Sequence, residues 1–169
     1  RELRGETVDE APSAAIDLPL PQSIPEDYLG DANLRMELYR RIAAGELEEK
    51  EMISELRDRF GPPPAQVYQL LRVAALKRRA EALRIQSISL AGTRLQFRLR
   101  RDARIDVEHL VKVVSERAGM SFSPSGILTV DRQPERPISE QALDILEDLA
   151  PSAAEVDSPG DQQSTGMQS

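Results

Sequence analysis

The sequence predicts an α+β domain in which helices come first and two β-hairpins follow, with intervening and C-terminal helices. Apolar side chains recur at a helical period from about residue 31 to residue 83. After residue 84 the apolar period becomes two, which is typical of strands with one buried and one solvated face. Because strands and helices do not alternate as in nucleotide-binding folds, we expect three helices, a hairpin, a helix, a second hairpin and a last helix.

The two chain ends flank a predicted folded unit of residues 24–150. Residues 1–23 are predicted to form an extended linker, because three prolines disfavour helix there. Ile16, Leu18 and Leu20 alternate with polar or proline positions and are expected to lie along the domain as one extended strip. Residues 151–169 contain almost no large apolar side chain and are predicted to form a disordered tail.

Three helices are predicted to open the folded unit. Asp31 is the expected N-cap of the first, and Gly45 suits its C-terminal end. The second begins at about Glu46 and stops at Gly61, which three prolines follow. The third is predicted over residues 65–83. The side chains expected on the inward stripes are Leu34, Leu38, Ile42, Glu49, Met52, Ile53, Leu56, Phe60, Val67, Leu70, Leu71 and Ala74.

Two hairpins and two helices are predicted for the remainder. The first hairpin turns at residues 92–93, and the second joins residues 120–122 to residues 127–130. Asp106 is the expected N-cap of the helix between them, and Ser139 is expected to start the last helix. The side chains predicted to point inward from the middle helix are Val107, Leu110, Val111 and Val114.

Composition leaves few routes to catalysis. The chain has no cysteine and one histidine, His109, so it offers no thiolate and no pair of zinc ligands. It also lacks a glycine-rich phosphate loop, and we therefore expect no enzyme activity, cofactor or metal in this chain. No apolar run approaches the roughly 20 residues that cross a bilayer, which predicts a cytoplasmic protein without membrane contact. The chain begins at Arg1 and is expected to be a piece of a longer polypeptide.

Charge is distributed unevenly along the chain. The net charge is −7, yet residues 34–104 carry 16 basic and 9 acidic side chains. Arg94, Arg98 and Arg100 are predicted to share the solvated face of one strand. Such a ladder suits a nucleic-acid backbone or an acidic protein surface, although no aromatic side chain interleaves with it for base stacking. An ordinary solvated sheet face explains the same spacing, so these interpretations stay open.

The end of the second helix carries a compact set of charges. Glu55 and Asp58 are three residues apart and are predicted to project away from the apolar stripe, with Arg59 beside them. Gly61 and the prolines after it make a rigid helix stop at the same place. From spacing alone, the set is either solvated surface or a patch that binds a partner.

Three ordered sequence words resemble a known family. They are Ile-Pro-x-x-Tyr at residues 24–28, Tyr-Arg-Arg at residues 39–41 and Glu-Leu-x-Asp-Arg-Phe-Gly-x-x-Pro at residues 55–64. In this order and spacing they resemble the C-terminal domain of the bacterial transcription-repair coupling factor (Mfd) family over about residues 16–90. Arg57 departs from the pattern, because the family more often has an apolar residue there.

The resemblance implies a role within a larger protein. Members of this family are helicase-related, ATP-driven double-stranded DNA translocases that displace RNA polymerase stalled at a lesion and recruit nucleotide excision repair through UvrA. The sites for ATP, magnesium, polymerase and DNA lie in other domains of such a parent. The resemblance makes the C-terminal domain an autoinhibitory clamp, which packs on a UvrB-like N-terminal module, masks UvrA binding and restrains the motor. Glu55, Asp58 and Arg59 match the family's clamp contact.

Overall fold

The computed structural model describes residues 12–150, which form five helices and one five-stranded sheet. The strands are β1 (Ala15–Asp17), β2 (Ile85–Ala91), β3 (Arg94–Leu99), β4 (Met120–Phe122) and β5 (Ile127–Asp131). The helices are α1 (Ala32–Ala44), α2 (Glu49–Phe60), α3 (Ala65–Ala82), α4 (Val107–Glu116) and α5 (Ile138–Leu149). The predicted α+β class and the order of helices and hairpins are confirmed.

The strands form one sheet in the order β1-β2-β3-β5-β4. β1 pairs with β2 in parallel, and the other pairings are antiparallel. Phe97 of β3 lies between Ile88 and Leu128 on the neighbouring strands, so large apolar side chains line up across the sheet. Helices α3 and α5 cover this face, and Phe97 is fully buried there together with Ile145 and Leu149. We call this cluster the sheet core.

A second hydrophobic cluster, the helical core, lies among α1, α2, the first half of α3 and the segment before α1. The backbone N–H of Ile24 donates to the Tyr39 hydroxyl (2.7 Å), which fixes that segment against α1. The buried members of the helical core are Ile24, Leu29, Leu38, Ile42, Met52, Ile53, Leu56, Val67, Leu70 and Leu71.

Helix α3 belongs to both cores. Val67, Leu70 and Leu71 in its first half pack into the helical core. Leu76 and Ala80 in its second half are fully buried in the sheet core. The two clusters are therefore joined through one continuous helix.

The predicted caps explain where the helices begin and end. The Asp31 carboxylate accepts two backbone N–H groups at the start of α1, and Asp106 accepts one at the start of α4. Gly45 closes α1 in the left-handed region at φ 69°, and a Cβ there would lie 2.6 Å from the Arg78 Nε. Arg78 occupies that space because its Nη1 donates to the Ile42 carbonyl (2.9 Å) at the end of α1.

Two helix starts differ slightly from the predicted positions. α2 begins at Glu49 rather than Glu46, because its N-cap Glu48 forms a reciprocal capping box with Glu51 in the first turn. α5 begins at Ile138, one residue before the predicted Ser139. Neither shift changes which faces of these helices are buried.

The segment predicted as a linker contributes an edge strand. Residues 15–17 form β1, and Ala14 and Leu18 are buried in the sheet core. The Ala14 N–H donates to Glu81 (3.0 Å), while Lys77 Nζ donates to the Ala14 carbonyl (2.9 Å). Both partners lie on α3, so strand and helix together satisfy the backbone groups of this segment.

The predicted domain boundary at residue 24 is therefore corrected: the packed unit includes residues 14–20. Ile16, Leu18 and Leu20 do lie along the domain, as their alternation predicts. The first eleven residues of the predicted linker and the predicted tail at residues 151–169 lie outside the described part of the chain.

The predicted inward face of α4 is also corrected. Leu110 and Val113 are buried against the sheet core, and Val114 is half-buried. Val107 and Val111, predicted to point inward, are 71% and 62% exposed. The helix is apolar over a wider arc than the sheet core covers, so periodicity alone does not separate the two sides.

Leu18→Ala tests the revised boundary. Because Leu18 is buried in the sheet core, we expect the free energy of unfolding to fall by about 2–4 kcal/mol. Urea unfolding of the purified chain measures it. Val107→Ala is the matched control, since it removes part of an exposed side chain and should change stability by within about 0.5 kcal/mol. If both substitutions change the free energy of unfolding equally little, residues 12–23 do not pack on the domain and are a linker.

Candidate functional site

The C-terminal end of α2 is anchored by an aromatic contact. Gly61 follows the helix with φ 90°, a positive angle that glycine adopts without strain. The Tyr28 hydroxyl donates to the Gly61 carbonyl (2.9 Å), and burial raises the pKa of Tyr28, so the hydroxyl remains a donor. The Tyr28 ring meets Phe60 edge to face, with 6.3 Å between ring centroids. Phe60, predicted to point inward, is half-buried and packs against the helical core.

Glu55 forms a bidentate ion pair with Arg41 of α1. Arg41 Nη1 and Nη2 donate to Glu55 Oε2 and Oε1 at 2.6 Å and 2.9 Å. Arg41 Nε also donates to Glu46 (3.0 Å) in the loop between the two helices. The Glu55 side chain is 30% exposed and that of Arg41 22%, so the pair is partly shielded from water. This geometry fastens α1 to α2.

The ion pair shifts the titration of both partners. Hydrogen bonds from Arg41 lower the pKa of Glu55 to about 2; burial opposes the shift, and Arg59 adds to it. Arg59 Nη1 lies 3.3 Å from Glu55 Oε2, one helical turn along α2. Hydrogen bonds to Glu55 and Glu46 raise the pKa of Arg41. Both groups therefore stay charged at any pH near neutrality.

Asp58 and Arg59 present their charges to solvent. Both residues are exposed, and the Arg59 guanidinium carbon lies 4.8 Å from the centroid of the Phe60 ring. Among residues 12–150, Asp58 forms no ion pair. The three predicted site residues are thus neighbours on α2, but they are not equivalent. Glu55 holds two helices together, whereas Asp58 is the accessible acid and Arg59 the accessible base.

The three family-like sequence words meet at this place. Tyr28 comes from the first word, Arg41 from the second, and Glu55, Phe60 and Gly61 from the third. Sequence reasoning selected Glu55 but missed Tyr28 and Arg41 as the residues that position it and the helix end. The signal was present in the sequence words themselves, because each word contributes at least one residue to these contacts.

The predicted arginine face is partly neutralised by its neighbours. Arg94 pairs with Asp131 (3.3 Å), and Arg100 pairs with Asp102 (3.2 Å). Arg98 is exposed and forms no ion pair within residues 12–150. Of the three predicted arginines, Arg98 alone lacks an ion pair within the described residues. This disfavours a model in which all three neutralise successive phosphates of a nucleic acid.

His109 makes a structural contact between two helices. Its Nε2 lies 2.6 Å from the Asp148 carbonyl oxygen, which joins α4 to the end of α5. Across the described residues, no cluster of three or more acidic or histidine side chains is arranged to hold a metal ion. No helix in the same part of the chain has the length and apolar character needed to cross a membrane.

Glu55→Gln tests the ion pair through its pH dependence. The folded-state pKa of about 2 lies below the ordinary glutamate value. The pair therefore stabilises the fold fully above about pH 5, and this contribution is lost as the pH falls toward 2. Because the pair is partly exposed, we expect about 1 kcal/mol. In urea unfolding at a series of pH values, the free energy of unfolding should fall less steeply with acid for Glu55→Gln than for wild type.

Glu37→Gln is the matched control, because Glu37 is an exposed acid on α1 that forms no ion pair within residues 12–150. Its free energy of unfolding should decrease with falling pH as steeply as that of the wild-type chain. Identical pH profiles for wild type and both variants would show that the Glu55 pair contributes nothing to stability.

This chain is similar in sequence to transcription-repair-coupling factors of several bacteria. The TRCF domain model matches residues 18–110. The transcription-repair-coupling factor of Haemophilus influenzae is 43% identical over 86 residues, which cover 50% of this chain and 7% of that protein. The Myxococcus xanthus protein of the same name is 27% identical over 155 residues, covering 88% of this chain and 13% of that protein. The chain thus spans a small part of the length of the curated relatives it matches.

A solved structure shares the fold. The crystal structure of the C-terminal domain of transcription-repair coupling factor aligns with a TM-score of 0.71 at 22% identity, covering 84% of this chain and 94% of that one. At this identity the likeness concerns the arrangement of helices and strands. With the family match extending over more than half of the sequence, the chain belongs to the TRCF domain family.

Proposed function

We propose that this chain is the autoinhibitory C-terminal domain of a transcription-repair coupling factor. In this role the end of α2 contacts a UvrB-like module of the same polypeptide, covers the surface that binds UvrA and restrains the motor. The contact residues are Asp58 and Arg59, with Glu55 behind them. The observation that carries the proposal is an exposed acid and base at a helix end whose position is fixed by internal contacts.

The fixed position matters for binding. A side chain that is already held in its bound conformation loses little freedom when a partner arrives. Arg59 is restrained by its contacts with Glu55 and the Phe60 ring, and the helix end is held by Tyr28. A complementary surface with a cation opposite Asp58 and a carboxylate opposite Arg59 fits this arrangement.

The energetics suit a reversible clamp within one polypeptide. Tethering raises the effective concentration of the partner surface, so a small contact area holds a closed state. The same small area allows release when another ligand binds the open state more tightly. Binding between separated modules is expected to be weak.

Other activities belong to the proposed parent rather than to this domain. We place ATP hydrolysis, its magnesium ion, the DNA translocase, and the contacts with RNA polymerase and DNA in domains outside this chain. The domain itself has no catalytic role in this proposal. The parent would act in the cytoplasm, in transcription-coupled nucleotide excision repair.

The nucleic-acid alternative has less support from the geometry. Two of the three arginines on the strand face already pair with carboxylates, as described above. Asp58 has no such internal competitor within residues 12–150, whereas Arg59 shares its charge with Glu55 (3.3 Å). We therefore retain the clamp as the proposed function.

Asp58→Arg in the full-length parent tests the clamp. The change reverses an exposed charge at the C-terminal end of α2, where a cation suits the helix dipole, so the domain should stay folded. A weakening of the closed state by about 1.4 kcal/mol moves the closed-to-open ratio about tenfold. We expect UvrA capture in a pull-down and polymerase-independent ATP hydrolysis both to rise.

Glu135→Arg is the matched control, because it makes the same charge change at an exposed residue in the loop before α5. It should leave both readouts at the wild-type level. The proposal is contradicted if Asp58→Arg is folded and its UvrA capture and basal ATP hydrolysis equal those of the control. Glu55→Ala is a poor substitute, since it also removes the brace between α1 and α2.

A further inference from the structure

An apolar groove of about 770 Å³ lies between α4 and the adjoining end of the sheet. It contains three of the large exposed apolar side chains of the described residues: Val107 (71% exposed), Val111 (62%) and Phe122 (40%). Leu99 and Ile105 form part of its floor. The groove shares no residue with the end of α2 and is independent of the proposed clamp.

The groove is a continuation of the sheet core that no helix covers. Leu99 follows Leu95 and Phe97 at a period of two, and Phe122 follows Met120 in the same way, so both point to the buried face of the sheet. Elsewhere α3 and α5 cover that face, but neither helix lines the groove. The space beside α4 is therefore bounded by apolar side chains that neither α3 nor α5 covers.

The rim of the groove is positively charged. Arg100 and Arg101 line it, and its lining includes no carboxylate. A neighbouring polar depression of about 450 Å³ shares these two arginines and also contains Asp102 and Arg98, the latter on the face of β3 opposite Leu99. Asp102 neutralises Arg100 (3.2 Å), but Arg98 and Arg101 form no ion pair within residues 12–150.

We propose that this groove docks an acidic amphipathic helix, a polypeptide segment whose apolar side chains are flanked by carboxylates. Apolar side chains at helical spacing fill the groove, and the flanking carboxylates reach Arg101 at its rim. A nucleic acid meets the arginines but leaves Val107, Val111 and Phe122 in water. The chain's own residues 151–169 are acidic but offer two large apolar side chains, Val156 and Met167, and are a poor match for the groove.

The probe is a pair of synthetic peptides of about 15 residues, long enough for marginal helix formation. Both carry leucines at helical spacing on one face; one has glutamates on the remaining positions and the other has lysines. Binding to the whole chain is followed by amide nuclear magnetic resonance at physiological salt. We expect the acidic peptide to shift the resonances of Val107, Val111 and Phe122 and to bind at least about tenfold more tightly than the basic one.

Four variants separate the apolar and the charged contributions. Val111→Asp should abolish binding of the acidic peptide, while Lys112→Asp, at an exposed position beside it, should reduce binding far less. Arg101→Glu should weaken binding of the acidic peptide and strengthen binding of the basic peptide. Arg104→Glu makes the same charge change at an exposed residue outside the groove lining. It should alter the affinity for neither peptide.

Several outcomes would overturn the proposal. They are equal affinity for the two peptides, undiminished binding to Val111→Asp, shifts confined to residues away from the groove, and no binding at millimolar peptide. Duplex DNA that shifts the groove resonances more strongly than the acidic peptide would assign the surface to nucleic acid instead. A dimer in analytical ultracentrifugation that Val111→Asp dissociates would assign it to a second copy of the chain.

Discussion

The arrangement of the whole domain depends on one helix being buried in two hydrophobic cores. α3 has 18 residues, which at 1.5 Å per residue gives about 27 Å, enough to extend through both clusters. α1 and α2 pack on this helix, and the α3 residues in their shared core lie in its first half. The direction in which the end of α2 faces is therefore set by α3, although the two cores share no other long element. A surface patch on α2 gains a defined orientation relative to the sheet from this connection.

Two acids three residues apart on α2 have different physical roles. Glu55 is satisfied internally by Arg41, so its charge contributes to holding α1 against α2. Asp58 lies in the last turn of α2, where the helix dipole disfavours a negative charge. Arg57 and Arg59 in the same turn offset part of this unfavourable interaction. No ion pair within residues 12–150 offsets the rest of it, so Asp58 keeps a partly uncompensated charge at the helix end.

Local signals in the sequence predict most of the fold, and long-range contacts account for what they miss. Helix stops such as Gly61 and the cap at Asp106 act within a few residues, so they can be identified from the sequence alone. The strand β1 has three residues and pairs with a strand about 70 positions later, which no local pattern indicates. The partner of Glu55 could not be predicted either, because Arg41 lies on another helix and only packing brings the two together. For α4, periodicity identifies an apolar arc but does not say how much of it the protein itself covers, and Val111 lies on the uncovered part.

The attachment of the N-terminal segment has a mechanical consequence. Tension applied through residues ahead of Ala14 enters the domain at β1, which is aligned parallel to β2. A pull along this strand loads its pairing in shear, so its hydrogen bonds resist together rather than opening one after another. Part of the load passes to α3 through the bonds from Lys77 and to Glu81. Force applied at this strand would therefore reach the helix shared by both cores before it reached α1 or α2.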